Sequence, residues 1–191
     1  MRTAVRLIET VRIADPRGWF AETYSRAKLQ SIGIDLDFVQ DNQSFSLAAG
    51  TLRGIHLQSD PFAQAKLVRC IRGTILDCAV DLRRGSPTYG RFASATLSAE
   101  NGRQLYLPVG FGHGFVTLEA ETEVAYKVSS PYSPEHEIGL AWDCPDIGID
   151  WPLPQSGPIL SDKDQALPRL CEFISPFVYD GIPMTAVGCL D

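Results

Sequence analysis

The chain carries three histidines in 191 residues, at 56, 113 and 136. His56 lies in "LRGIHLQ", three residues after Arg53 and ten before Lys66. An imidazole titrates near neutrality, so His56 is a candidate general base. Taken alone, it also reads as a hydrogen-bonded structural histidine. Lys66, in "FAQAKLVRC", is either a strand-edge lysine with its stem on apolar surface or a cation that stabilises an oxyanion. Arg17, in "DPRGWFAETYS", is a solvated loop arginine or, with Arg53, one arm of a phosphate clamp. Phe20, in the same stretch, reads as core before it reads as a stacking group. Glycines flank His113 in "GFGHGF" and permit close backbone approach. Asp164, in "LSDKDQ", is a surface acid or the partner of a base. Together these residues supply a base, an acid, an oxyanion-stabilising cation and two phosphate-binding arginines. That inventory suits proton abstraction beside a carbonyl on a phosphorylated or nucleotide-linked substrate. A metal site is the less favoured reading, because no H-x-H pair occurs and histidines are few.

Short strands must position these groups. "KLVRCI", "TILDCAVDL", "RFASATLS", "RQLYLP", "GFVTLE" and "TEVAYKV" are apolar runs broken by Gly, Pro, Asn and Asp at a spacing of roughly 8–12 residues, the pattern of an all-β sandwich or barrel. A jelly roll is the natural candidate. One early helix is expected over "SRAKLQSIG", with Ser25 as N-cap and Gly33 as its stop. Beyond about residue 150 the proline-rich "WPLPQSGPILSDKDQALPRL" reads as a loop wrapping the domain. In "TEVAYKV", Thr122, Val124, Tyr126 and Val128 share one face, which predicts an inward Tyr126 whose phenol needs a polar partner. Arg53 and His56, three apart, point to opposite faces of a regular strand. A bulge at Gly54 would turn both into one cavity.

Composition narrows the classes. A length of 191 residues suits one domain with a real core, and 45% hydrophobic with 21% charged residues is ordinary for a globular protein. No apolar run reaches the ~20 residues that span a bilayer, and the charged N-terminus does not resemble a signal peptide. Net charge −6 argues against broad nucleic-acid binding. Five cysteines without a C-x-x-C pair suit a reducing cytoplasm, and Cys70 and Cys78 read as small buried hydrophobes.

Many ordered stretches, among them "RGWFAETYS", "FVQDNQSFS", "LRGIHLQ", "QAKLVRCIRGTILDCAVDLRRGSPTYG", "LSAENGRQLYLPVGFGHGF", "AYKVSSPYSPEHE", "GIDWPL" and "LSDKD", resemble the dTDP-4-dehydrorhamnose 3,5-epimerases over roughly residues 5–170. The resemblance implies a cupin-like jelly-roll domain over 1–170, with a few short peripheral helices, and leaves 171–191 as an extension. It implies epimerisation at C3 and C5 of a dTDP-4-keto-6-deoxy sugar, without cofactor or metal, in a cytoplasmic homodimer. By the same resemblance His56 is the base and Asp164 its partner, with Asp162 a rival at the motif's variable position. Tyr126 is the acid, and Lys66 stands beside the sugar carbonyl. Arg17, Phe20, Glu22, Gln40, Asn42, Arg53, His113, Tyr132, Glu137 and Lys163 match substrate- and nucleotide-binding positions. Some of these are expected from a partner subunit, since the family exchanges N-terminal strands. The chain departs from the family in two places. Pro131-Tyr132 keeps only the second of two usual tyrosines, and Gly112 stands where alanine is more frequent. Alternatives from the same fold are a mono-epimerase, a 3,4-ketoisomerase, a metal-dependent cupin enzyme and a binding module without catalysis.

Overall fold

Two antiparallel sheets packed face to face form a jelly roll. The computed structural model describes residues 4–184 and the backbone of 188–189. One sheet runs, in spatial order, β1 (Arg6–Ile8), β9 (Gln104–Leu107), β6 (Lys66–Arg72), β11 (Thr122–Val128) and β4 (Gln40–Ser46). The other runs β12 (Glu137–Gly139), β5 (Leu52–Gln58), β10 (Phe111–Thr117), β7 (Thr74–Asp81) and β8 (Phe92–Ser98), with β13 (Gly188–Cys189) parallel to β8 at its edge. A hairpin of β2 (Arg12–Asp15) and β3 (Gly18–Ala21) stands apart.

The period-2 alternation fixes what lies between the sheets. Val68 and Cys70 of β6, Val124 of β11, Ile75 and Ala79 of β7, Leu97 of β8 and Phe115 of β10 meet there in one buried cluster. Each fully buried aliphatic or aromatic side chain in such a layer contributes about 1.5–3 kcal/mol. Tyr126 packs against this cluster as its parity predicts. Ile55, Leu57, Val80 and Leu82 lie in a second cluster with Leu140, Ile147 and Phe177. The helix α1 (Arg26–Ser31) forms where expected. Ser25 accepts a hydrogen bond from the Lys28 amide, and buried Leu29 joins Leu67 and Tyr106.

Two features differ from the sequence expectation. Strand β4, "QDNQSFS", escapes an apolar-run criterion because its inward positions are polar. The wrapping loop contains a one-turn helix, α2 (Asp162–Gln165), capped by Ser161. The segment after residue 170 packs on the barrel. Phe177 is buried, the Arg84 amide donates to the Phe177 carbonyl, and Met184 enters the inter-sheet cluster. Residues 185–187 and 190–191 of the expected extension lie outside the described residues.

Candidate active site

The bulge is where the sequence suggested it. His56 faces His113 in the β5–β10 pair and Arg53 faces Phe115, so two residues of β5 oppose Gly114 alone. Gly54 takes φ +112°, and a Cβ there would sit 2.5 Å from the His113 carbonyl oxygen. Only glycine fits that crossing. The extra residue brings Arg53 and His56 to one cavity, of about 210 Å³, with Ser44, Lys66, His113, Tyr126 and Asp164. A neighbouring cavity of about 250 Å³ shares His56, Lys66 and Tyr126 and adds Gln40, Asn42, Tyr132 and Glu137.

His56 Nε2 lies 2.5 Å from Asp164 Oδ1. Asp164 is buried, and its other oxygen accepts from the Ser161 hydroxyl at 2.8 Å. Burial would raise its pKa, but hydrogen bonds from His56, Ser161 and the Gly54 backbone outweigh it and hold the carboxyl below its usual range. An ionised carboxylate can only accept, so in the neutral ring the hydrogen sits on Nε2 and the lone pair on Nδ1. The Nδ1 atom lies 3.8 Å from Glu137 Oε1. Asp162, the rival acid, is exposed and forms the start of α2, whereas Asp164 is its one buried residue.

Lys66 is buried, contrary to the strand-edge reading, and its Nζ donates to the His56 carbonyl at 3.4 Å. Burial brings its pKa down to about 8, with Glu137 and Asp77 opposing the fall. Tyr126, on β11, faces the same space from the other sheet. Burial raises its phenol, Arg53 opposes this, and Glu137 adds to it. His113 is buried with Nε2 2.6 Å from Asp77 Oδ1. Its pKa falls through burial despite that carboxylate, with Lys66 and His56 pushing the same way.

Around the rim, Gln40 donates to Asn42 at 2.7 Å, and the Tyr132 amide donates to Gln40 at 3.1 Å. The Tyr132 hydroxyl donates to Glu137 at 2.6 Å, and Lys163 forms a close ion pair with the same carboxylate. Arg53 donates to the Phe45 carbonyl at 3.1 Å. Three of the expected residues are not brought together with this group in the single chain. Arg17 pairs with Asp15 on the outlying hairpin, with 90% of its side chain exposed. Phe20, read alone as core, is 67% exposed on a two-stranded hairpin that is hydrogen-bonded to neither main sheet. Glu22 pairs with Lys28 at 2.9 Å. Among the described residues, no group of three or more His, Cys, Asp and Glu side chains is arranged to hold a metal ion.

The profile of the family described as dTDP-4-dehydrorhamnose 3,5-epimerase matches residues 3–172. The chain belongs to the dTDP-4-dehydrorhamnose 3,5-epimerase family. It is 51% identical over 175 residues to an enzyme of that name from Sinorhizobium fredii, covering 92% of this chain and 89% of the relative. The fold superposes with TM-score 0.87 on the dTDP-6-deoxy-D-glucose-3,5-epimerase of Legionella pneumophila, solved with dTDP-4-keto-L-rhamnose; identity is 40%, covering 92% of this chain and 93% of that one. A 3'-monoepimerase from Streptomyces bikiniensis, solved with dTDP-quinovose, gives TM-score 0.81 at 37% identity, covering 88% and 84%.

Some residues in and behind this family member's cavities were not among those expected from the sequence. Asp77 is the clearest. A carboxylate in mid-strand on the inward parity of "TILDCAVDL", between Ile75 and Ala79, was the available signal. Ser161 and Ser44 carry no signal of their own. Gly112, the departure from the family's usual alanine, packs tightly. A Cβ there would stand 2.5 Å from Ile55 Cγ2 and 3.0 Å from Leu82 Cδ1.

Proposed function

We propose that this chain converts dTDP-4-dehydro-6-deoxy-D-glucose to dTDP-4-dehydro-L-rhamnose by inverting C3 and C5, a step of dTDP-L-rhamnose biosynthesis. One observation carries the reading: His56, paired with Asp164, from one sheet and the Tyr126 phenol from the other line the same cavity, which Lys66 also lines. Inversion needs a base and an acid on opposite faces of the carbon. A 4-keto group acidifies the hydrogens at C3 and C5. Nδ1 of His56 takes such a proton, and negative charge moves to the carbonyl oxygen. The Lys66 ammonium stabilises that enolate, an effect worth roughly 3–4 kcal/mol for one well-placed donor. Tyr126 returns a proton on the far face, and its raised pKa keeps the phenol protonated until then. Asp164 holds the ring tautomer and balances the imidazolium. The steps balance with protons alone and call on no cofactor, metal or nucleic acid.

In this reading Arg53, His113, Gln40, Asn42, Tyr132, Glu137 and Lys163 contact the nucleotide sugar, and the enzyme is a homodimer. The hairpin supports the dimer. Val11, Ile13, Trp19 and Phe20 leave 78%, 64%, 58% and 67% of their surface exposed, the kind of patch a partner covers. Arg17, Phe20 and Glu22 then complete the partner's site. Residues 1–170 act as the epimerase domain, with 171–191 a C-terminal extension. A cytoplasmic setting fits a cysteine set in which Cys70, Cys78, Cys144 and Cys171 form no disulfide among the described residues.

The test is NMR in deuterated water with dTDP-4-keto-6-deoxy-glucose and a reductase that traps the product. Deuterium at both C3 and C5 of an L-rhamno product is expected. Deuterium at one carbon alone would make the chain a mono-epimerase, like its Streptomyces bikiniensis relative. Exchange at neither would end the epimerase reading.

A further inference from the structure

Glu137 occupies a position that substrate contact alone does not explain. Its side chain is 12% exposed, yet both oxygens are engaged by groups that belong to different layers of the site. Oε2 takes the Tyr132 hydroxyl at 2.6 Å and the Lys163 ammonium, both from the exposed rim. Oε1 points inward and lies 3.8 Å from His56 Nδ1, the nitrogen left with a lone pair once Asp164 holds Nε2. The same carboxylate lines the cavity shared by Lys66 and Tyr126.

We propose that Glu137 is a positioning residue that couples the rim to the reacting groups: its negative charge keeps the buried Lys66 cationic and stands ready to stabilise the imidazolium that forms on His56. The proposal rests on the epimerase reading for its consequence in catalysis, though the link between Glu137 and Lys66 is testable without it.

Several charged and titratable groups surround Lys66. Glu137 comes from β12 and Asp77 from β7; Arg53 and His56 come from β5, His113 from β10 and Tyr126 from β11. Asp164 and Lys163 come from α2. The Asp77 carboxylate is already bonded to His113. Asp164 is taken up by His56 and Ser161. Asp77 and Glu137 each keep one oxygen without a short hydrogen bond, but of the two it is Glu137 that lines the cavity shared with Lys66. Its charge, with that of Asp77, opposes the fall that burial imposes on Lys66. Lys163 works in the opposite sense, because its ammonium partly neutralises Glu137.

The experiment is a pH titration by NMR of protein carrying 13C-labelled lysine, with Lys66 assigned by its absence in Lys66→Met. The wild-type midpoint is expected near about 8. In Glu137→Gln, which keeps the shape and removes the charge, the midpoint falls by about one pH unit. In Glu137→Asp, which keeps the charge, it stays near the wild type. In Lys163→Met, an exposed change that spares the fold, it rises. The alkaline limb of the pH–rate profile for deuterium exchange moves with these midpoints, which a merely structural role would not produce. A Lys66 midpoint unmoved in Glu137→Gln, or unmoved or lowered in Lys163→Met, overturns the proposal whatever the turnover. Midpoints that move as stated in a protein that exchanges no substrate proton would uphold the link and overturn the epimerase reading alone.

Discussion

Two buried polar networks in this molecule are built in opposite ways. The first surrounds Arg83, which is 4% exposed. Its guanidinium donates to Asp81 through Nε at 2.9 Å and Nη2 at 2.8 Å, and through Nη1 to Asp180 at 3.0 Å and to the Ile182 carbonyl at 2.8 Å. Asp81 also accepts from the Ser86 and Thr88 hydroxyls, each at 2.7 Å. Burial would raise the Asp81 carboxyl, but these donors hold it low. The second network lies in and around the cavity: Arg53 and Ser44 line it, and Asp77 stands behind it, bonded to His113. There the Arg53 Nε, the Ser44 hydroxyl and Asp77 Oδ2 are buried without a hydrogen-bond partner. An unsatisfied buried polar atom costs about 1–3 kcal/mol. A network complete in itself holds the fold, here by pinning the C-terminal segment to the turn after β7. One left incomplete, beside a base, an acid and a buried cation, is arranged for groups that a substrate brings.

The contrast can be broken from either side. The largest expected effect is on turnover in the incomplete network. His56→Ala should slow deuterium exchange per folded molecule by roughly 10²–10⁴-fold. The reverse pattern is expected at the complete one. Arg83→Met leaves Asp81 buried without its cation and should cost about 3–5 kcal/mol in denaturant unfolding, with turnover per folded molecule retained. Lys66→Met should lower kcat by roughly 10²–10³-fold.

Lys66 also gives a pH test in which activity and stability part. Its folded pKa, about 8, lies below the ordinary 10.5. Activity that needs the ammonium falls as pH rises through about 8. Between about 8 and 10.5 the unfolded chain binds the extra proton, so the Lys66 contribution to stability increases with pH. Subtracting the Lys66→Met unfolding curve from the wild type isolates that rise. Equal and parallel losses of both would contradict the assignment. The smallest expected effect is Gly112→Ala, about 1–3 kcal/mol, since Ile55 and Leu82 must shift to admit the methyl.

Mixing sharpens the dimer proposal. Arg17→Ala and His56→Ala, each nearly inactive alone, should regain activity when unfolded and refolded together, because one of the two sites in a mixed pair is intact. No recovery would argue that each site draws on one chain only.

How legible the molecule was in its sequence varied by region for physical reasons. The apolar strands were readable because burial of one face imposes period 2, and "TEVAYKV" matches β11 from Thr122 to Val128. The Gly54 bulge was readable because Arg53 and His56 could share a cavity only through an irregularity, and glycine is the residue that permits one. Strand β4 was not readable by the same criterion, since a strand that faces a polar cavity loses its apolar signal. The Arg83 network was invisible because its partners, Asp81 and Asp180, are brought together only by the packing of the C-terminal segment. Asp164 stood out through a resemblance and not through its own pattern. What makes it a partner for His56 is the Ser161-capped turn of α2 packed against β5, a contact between residues 108 positions apart.

The most direct test of the central claim is solvent-deuterium uptake by Tyr126→Phe, followed alongside inversion at C3 and C5. If His56 and Tyr126 act from opposite sheets, the variant still exchanges protons at the acidic carbons, because the base face is intact, while inversion is lost. Inversion at the wild-type rate in Tyr126→Phe would contradict the account.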